Sequence, residues 1–369
     1  MSSSSLPAPV AAALSKRDLS DPALGPHAVG LVVDNVRAAM ARLWGGEPAV
    51  VRPSPVVRVA DNYDRLHYPP DAAARSPRYA RYIDAATMLR THTTAAVPAW
   101  LDGLDRGADD HTVMIPGMVW RRDCVDRRHV GEPHQLDIWR VVRGRRMARG
   151  DLMDMVGAAV GAILPGARWR ANETEHHYTV GGLEVEVLVD GRWLEMLECG
   201  LAAPRLLGEA GLDPARWSGL AMGIGLDRAV MIAKGLDDIR LLRAADPRVA
   251  RQMLDLAPWR PVSRHQGSTR DLSVARDAGL TDEELGDLLR DALGGDAELV
   301  EEAAIIGRWA ASELPAAARA RLGAGDGQEN LLVRVTVRST DGPVDKGTCA
   351  RLYAAAYAAL HRGGASGYA

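Results

Sequence analysis

The sequence predicts an α+β chain, an antiparallel sheet flanked by helices and followed by a smaller split βαβ unit. Three observations predict it. Strand-like runs come in adjacent pairs instead of alternating one by one with helices, which excludes a doubly wound parallel sheet. A chain of 369 residues exceeds what one hydrophobic core usually serves, so two domains are expected. Beyond residue 268 the order becomes strand, helix, strand, strand, helix, which is most of a β-α-β-β-α-β unit.

The elements follow in order. Residues 1–30 are rich in Ser, Ala and Pro without sustained periodicity and are expected as a loose tail. From Leu31 to Trp44 apolar residues recur at helical spacing, and Gly45-Gly46 stops the helix. Val50 to Val59 reads as a short strand, restricted by Pro53 and Pro55 to an edge or a bend. His111 to Trp120 and His134 to Val142 read as a long antiparallel pair joined by the charged loop Arg121 to Pro133. Asp151 to Leu164 is an amphipathic helix, and Leu183 to Val189 with Arg192 to Cys199 forms a hairpin about Asp190-Gly191. Pro204 to Ala210 reads as helix, and Gly219 to Gly225 as a Gly-rich strand running into the helix Leu226 to Lys234, which Gly235 ends. The pattern loosens over Pro258 to Gly267, so a linker is placed at 256–268. The second domain holds strand Asp271 to Ala275, helix Asp282 to Leu293, strands Ala297 to Ile306 and Leu331 to Ser339, and helix Lys346 to His361. A last strand is not evident in Gly363 to Ala369.

Composition narrows the function classes. The chain is 47% hydrophobic and 25% charged, an ordinary globular balance, and its 45 basic against 48 acidic residues leave a formal charge of −3. Any nucleic-acid contact must therefore come from a local basic patch. Cys124, Cys199 and Cys349 lie far apart, which argues against a disulfide framework or a structural zinc site. No apolar run is long enough to cross a bilayer, and the first residues lack the order of a signal peptide. A soluble, cytoplasmic protein without a membrane partner is expected.

Four local signals carry chemistry, and each alone has a bland reading. Arg121-Arg122-Asp123 reads equally as a solvated charge cluster, and Arg90-Thr-His92-Thr-Thr94 as a helix cap. Gly223-Ile-Gly225-Leu-Asp-Arg228 resembles a phosphate-cradling turn, for which a lone Gly-x-Gly is weak evidence. On the strand from His134, alternation points Gln135 and Asp137 to one face and His134 and Leu136 to the other.

Their order is more specific than any one of them. A strand–loop–strand carrying an Arg, followed by a Gly-rich strand that opens a helix with another Arg, is the layout of a class II aminoacyl-tRNA synthetase site. The chain resembles the phenylalanyl-tRNA synthetase family in Asp61-Asn-Tyr-Asp-Arg-Leu66, Leu89-Arg-Thr-His-Thr-Thr94, Gly117-Met-Val-Trp-Arg-Arg-Asp123, His134-Gln135, Trp193-Leu-Glu195 and Gly219-Leu-Ala-Met-Gly-Ile-Gly-Leu-Asp-Arg228, the last followed by Gly235-Leu-Asp-Asp-Ile-Arg240. The tail, with Arg270-Asp-Leu-Ser273, Leu331-Leu-Val-Arg-Val335 and Ala358-Ala-Leu-His-Arg362, is similar to the ferredoxin-like anticodon-binding domain of these enzymes. The expected organisation is thus a catalytic domain at 31–255 and an anticodon-binding domain at 269–369, a single-chain form without an editing domain.

The resemblance implies a ligase that uses ATP and Mg²⁺, forms an aminoacyl-adenylate and charges tRNA, by implication tRNA-Phe. Arg121 would contact the α-phosphate and the amino-acid carboxylate, and Arg228 the far end of the triphosphate, roles that suit a planar guanidinium. Asp123 and His129 would lie over the nucleotide, with Glu195 as the Mg²⁺ ligand. Gln135 and Asp137 match the pair that receives the substrate ammonium, Asp137 standing where the family usually carries Glu, while His92 and Thr94 face the same pocket. Arg334, Arg338, Arg351 and Arg362 are the candidate tRNA-phosphate contacts. The departures concentrate at the substrate ring: His176-His177-Tyr178 aligns with an aromatic Phe-Pro-Phe segment, Glu198 replaces a small Gly, and Ala203-Pro204 replaces His-Pro, with Ala221 at the pocket floor. These changes favour a substrate whose ring carries a hydroxyl.

Other readings stay open. A paralogue would activate a different amino acid or use an acceptor other than tRNA, and a non-catalytic chain would only bind tRNA or sense an amino acid. Retention of both Arg121 and Arg228 argues against the non-catalytic reading. A metal site from Cys124, His129 and His134 would span a flexible loop. Monomer and homodimer are both compatible with Pro55 in the first strand. The chain has no Phe beside nine Trp and eight Tyr. Codon bias accounts for part of this, and synthesis when charged phenylalanyl-tRNA is scarce is the functional alternative.

Overall fold

The computed structural model describes residues 7–122, 126–261 and 265–365. The chain forms two units: one holds the chain up to Arg121 with Glu132–Leu236 and Met253–Trp259, the other Arg122–Gly131, Asp237–Gln252 and the chain from Arg260 onward. This division does not follow the linear partition at 255 and 269. Ion pairs far apart in sequence place the loop after Arg121 in the second unit, Arg122 bonding Asp287 at 2.6 Å and Arg127 bonding Glu301 at 3.2 Å.

In the first unit, α1 (Ala8–Leu14) precedes the long α2 (Ala28–Trp44). The His27 imidazole caps α2 by accepting from the Val29 amide, and Gly45, at φ 75°, ends it. The strands are β1 (Ala49–Val50), β2 (Val56–Arg58), β3 (Thr87–Leu89), β4 (Asp110–Met118), β5 (His134–Arg143), β6 (Trp169–Glu173), β7 (Thr179–Val189), β8 (Arg192–Ala202) and β9 (Trp217–Gly225). Two further helices are α3 (Arg149–Ile163) and α4 (Leu226–Lys234). Seven strands form one sheet in the order β1-β4-β5-β9-β8-β7-β6, antiparallel except for the edge pair β1–β4, while β2 and β3 pair separately. Asp190 and Gly191, both at positive φ, make the tight turn between β7 and β8.

Alternation gives the sheet two unlike faces. Leu136, Ile138, Leu197, Met222 and Ile224 are buried on the face covered by helices, where α2 packs against α3 and α4. On the other face stand Gln135 and Asp137 of β5, Gly223 and Gly225 of β9, and Glu198 of β8, level with one another across the register. This is an α+β architecture, as expected. None of the described helices is long and apolar enough to cross a membrane.

Three expectations are corrected. Residues 7–30 are not loose: Val10 and Ala13 pack with Leu89, Met118 and Trp120, and the Leu19 amide donates to His134 Nε2 at 2.9 Å. These anchors are long-range, so local composition carried no sign of them. The Val50 to Val59 strand is divided between two sheets as β1 and β2, with Pro53 and Pro55 in the break, where their missing N–H groups cost no ladder bond. Trp169–Glu173, which lay outside every expected element, is the edge strand β6.

The second unit has an antiparallel sheet of β10 (Ser268–Asp277), β11 (Val300–Ala310) and β12 (Gln328–Val337) in the order β10-β12-β11. Helices α5 (Asp282–Leu293) and α6 (Lys346–Leu360) close a core that includes Leu272, Leu289, Val333, Val335 and Leu352. Strand order first–third–second is that of a split βαβ unit; residues 366–369, where a fourth strand was sought, and 262–264 of the expected linker lie outside the described residues.

Candidate active site

The polar face of the large sheet is built around Asp137. Its carboxylate is buried and accepts from the Thr93 hydroxyl at 2.7 Å, the Thr94 hydroxyl at 3.0 Å and the Trp139 indole N–H at 3.2 Å. All three donors are neutral. Burial pushes the carboxyl above its usual range, against the pull of these hydrogen bonds and of the Arg90 charge. Arg90 is itself bonded to the Met118 carbonyl at 2.9 Å, and burial lowers its guanidinium to about 10. Gln135, one pleat away on the same face, accepts from the Thr93 amide at 3.3 Å.

Beside Asp137 the sheet surface is bare. Gly223 and Gly225 stand at the C-terminal end of β9, and a Cβ at either would meet nothing within 4 Å. Neither has a positive φ, so neither backbone conformation nor close packing demands glycine there. A glycine in a strand interior costs roughly 0.5 to 1 kcal/mol relative to alanine, and the return is open floor between two polar strands.

A small cavity of about 10 Å³ adjoins this floor, and Asp137, His176, Tyr178, Glu198 and Ala221 line it. Four residues singled out from the sequence thus converge on one site. Ala221 lies level with Trp139 and Gly200, its methyl all that fills the floor there. His176 pairs with Glu198 at 3.3 Å through Nε2 and meets the Thr179 hydroxyl at 3.3 Å through Nδ1, and its ring stacks on Tyr178. That pairing, before any other influence, holds the Glu198 carboxyl below its usual range. Burial pushes the Tyr178 hydroxyl up.

The remaining candidates fall into distinct places. Thr94 spends its hydroxyl on Asp137, so it orients that carboxylate. His92 stacks on Tyr68 at 5.6 Å between centroids, and burial first, then the Arg121 charge, push it down to about 3, so it is neutral. The Arg121 charge also acts on Tyr68 and Glu198. Arg228, in the first turn of α4, bonds the Glu195 carboxylate at 2.9 Å. The two residues assigned to the triphosphate and to Mg²⁺ therefore hold each other. Glu195 and Glu186 stand level across β7–β8, as do Glu184 and Glu198, and burial followed by these neighbouring carboxylates raises Glu184. No group of three or more metal-ligating side chains occurs among the described residues. Mg²⁺ needs only one or two carboxylates beside phosphate oxygens and water, and this carboxylate row fits it.

Asp123 and Cys124 lie outside the described residues. His129 belongs to the second unit, its Nδ1 2.8 Å from the Asp126 carboxylate. His134 serves the core: it is fully buried, accepts at Nε2 from the Leu19 amide and faces Asp227 through Nδ1 at 3.0 Å. Of the candidate tRNA contacts, Arg334 makes two bonds of 2.8 Å to Asp271, Arg338 pairs with Glu301 at 2.7 Å, Arg351 with Asp296 at 2.6 Å, and Arg362 donates to the Ala358 and His361 carbonyls.

Sequence reasoning missed Tyr68 and Thr93. Tyr68 touches both His92 and His177, and it follows His67, which is held at φ 63° and tied to Glu209 at 2.8 Å. It stands two residues past the end of a recognised motif, and only that adjacency marked it.

A bare glycine floor thus lies beside a buried carboxylate on one antiparallel sheet, with Arg121 and Arg228 in the same unit. The family described as tRNA synthetases class II core domain (F) matches residues 24–253, and the chain belongs to it. It is 36% identical over 193 residues to a phenylalanine–tRNA ligase alpha subunit of Prochlorococcus marinus (strain MIT 9313), and 32% identical over 191 residues to that of Nostoc punctiforme; each match covers 52% of this chain and 56% of the relative. The chain thus spans about half the length of these curated relatives. Among solved structures, a pyrrolysyl tRNA synthetase, PylSc of Desulfitobacterium hafniense, matches with a TM-score of 0.45 at 16% identity, covering 59% of this chain and 73% of that one.

Proposed function

We propose that this chain activates an aromatic amino acid with ATP and passes it to tRNA. The observation that carries the reading is Asp137, a buried carboxylate satisfied by neutral donors and facing the bare floor of Gly223 and Gly225. A substrate ammonium completes it, because a buried anion gains most from a cationic partner. The ammonium, fixed on Asp137 and Gln135, sets the substrate carboxylate toward Arg121. One carboxylate oxygen then attacks the α-phosphorus in line; the bond to the bridging oxygen breaks and pyrophosphate leaves. Arg121 balances charge at the α-phosphate and Arg228 at the departing end. Mg²⁺, when bound, neutralises the phosphates, with Glu195 as its carboxylate. The named relatives are phenylalanine–tRNA ligase subunits, and Tyr178 gives the pocket an aromatic wall suited to such a ring. Transfer to tRNA would rest on the second unit.

The test is ATP–pyrophosphate exchange against all natural and several hydroxylated aromatic amino acids, with Arg121→Ala and Arg228→Ala beside the native chain. Each substitution should lower exchange by roughly 10²- to 10³-fold, the usual cost of losing one charge-stabilising donor, while melting stays nearly unchanged. Absence of exchange with every amino acid would defeat the proposal in favour of a chain that only binds.

A further inference from the structure

The geometry points to an amino acid whose aromatic ring carries a hydrogen-bond donor, a hydroxyl or amino group, with Glu198 as the specificity-determining acceptor and His176 as the residue that orients it. This deepens the activation reading and rests on it. Asp137 and Glu198 are both level with Gly223, on the strands to either side of it. Two interstrand steps separate them, about 9.5 Å between backbones, with no side chain in between. An amino acid whose ammonium sits on Asp137 therefore lies across Gly223 with its far end at Glu198.

The chemistry at that far end is polar. Glu198 has 45% of its side chain exposed and lines the cavity that Asp137 and Tyr178 also line. His176 occupies one side of its carboxylate and, through Nδ1, rests against Thr179. A carboxylate offers about four lone-pair sites, so acceptor capacity remains toward the cavity. The His176 pairing also keeps Glu198 ionised, an acceptor and not a donor. Around this end the walls are rings: Tyr178 stacks on His176 and tilts against Trp139 at 6.2 Å. A planar ring would lie against Tyr178 and His176 while its substituent donates to Glu198. An unsubstituted ring would strip water from an ionised carboxylate and return no bond, and sites built around a substrate hydroxyl discriminate strongly against its absence.

The experiment measures affinity without catalysis. Sulfamoyl-adenosine conjugates of phenylalanine, tyrosine and meta-tyrosine, stable mimics of the adenylate, are titrated calorimetrically into the full chain, its Glu198→Ala variant and its His176→Phe variant. For the native chain, at least one hydroxylated conjugate should bind on the order of 10- to 100-fold tighter than the phenylalanine conjugate, the range for a hydrogen bond to a charged group. Glu198→Ala should abolish that ratio while still binding the phenylalanine conjugate. His176→Phe should shrink the ratio without removing it. Equal binding of all conjugates by the native chain, or a ratio that survives Glu198→Ala, would overturn this inference and leave the activation reading standing. Failure of every conjugate to bind would overturn both.

Discussion

Adding one methyl group at Gly223 separates stability from binding. The residue has a negative φ near the C-terminal end of β9 and a Cβ there meets nothing within 4 Å, so Gly223→Ala introduces neither backbone strain nor a clash. Its effect on folding comes from the unfolded chain, which loses conformational freedom, and amounts to about 0.4 to 1 kcal/mol of stabilisation. For a unit of this size that raises the melting temperature by about 1 to 4 °C. The same methyl stands on the floor between Asp137 and Glu198, where the proposed substrate would lie. Overfilling a close-fitting site costs about 1 to 3 kcal/mol, roughly 5- to 150-fold in Kd. Differential scanning calorimetry and titration with a non-hydrolysable adenylate analogue read the two effects on one sample. Gly161→Ala, on helix α3 and equally unobstructed, is the control that should gain stability and keep its affinity. A Gly223→Ala protein that melts lower, or that binds the analogue as the native chain does, would refute the reasoning that this glycine exists to leave room.

Three further outcomes are expected. Asp137→Asn should weaken amino-acid binding by roughly 10- to 150-fold, the loss of a charge-assisted hydrogen bond, while Kd for ATP alone stays within a factor of two or three (~0.5 kcal/mol); equal losses for both ligands would detach Asp137 from the ammonium. Because burial raises the Asp137 carboxyl, its protonated form favours the fold: that contribution is fully present below the unfolded carboxyl's range near 3.8 and is lost as pH rises through the higher folded value. Amino-acid KM should accordingly climb on acidification before pH reaches the ordinary aspartate range, with KM for ATP unmoved, in a steady-state exchange series. In the second unit, Arg334 is tied to Asp271, so Asp271→Ala should release a cation and tighten tRNA binding, whereas Arg334→Ala should weaken it and lower the salt slope by about one; filter binding at several salt concentrations that finds both variants unchanged would remove Arg334 from the contact surface.

Elements whose ends carry their own signals were legible to the residue. Leu226–Lys234 is bounded by Gly225 and Gly235, and Asp282–Leu293 opens on the Thr281–Glu284 capping box. Two-residue alternation from His134 sorted the core histidine from the site residues Gln135 and Asp137, and the register confirms that split. Trp169–Glu173 escaped because an exposed edge strand need not alternate cleanly, and its Arg170 and Asn172 are drawn to Glu186 across the sheet. The convergence of Asp137, His176, Tyr178 and Ala221 was legible only through ordered motifs, since they come from two strands and a turn. Tyr68 and Thr93 were not, because what makes them part of the site is contact across the fold. The partners of Arg334, Arg338 and Arg351 were not legible either: a sequence shows cations but not the carboxylates they face across the fold.

The imidazole of His134 also sets a timetable for synthesis. It is satisfied on one ring nitrogen by the Leu19 amide, 115 residues earlier, and on the other by Asp227, 93 residues later. A ribosome adding 5 to 20 residues each second takes roughly 10 to 40 s to cover that span. Until β5 is made the Leu19 amide lacks its acceptor, and until Asp227 follows β5 carries a buried polar ring with half its partners unmade. Such distant closures slow folding and leave apolar surface open to association. Any fragment meant to contain the large sheet intact must therefore begin before Asp18 and extend beyond Asp227, and chains stalled short of that point are natural clients for chaperones and proteases.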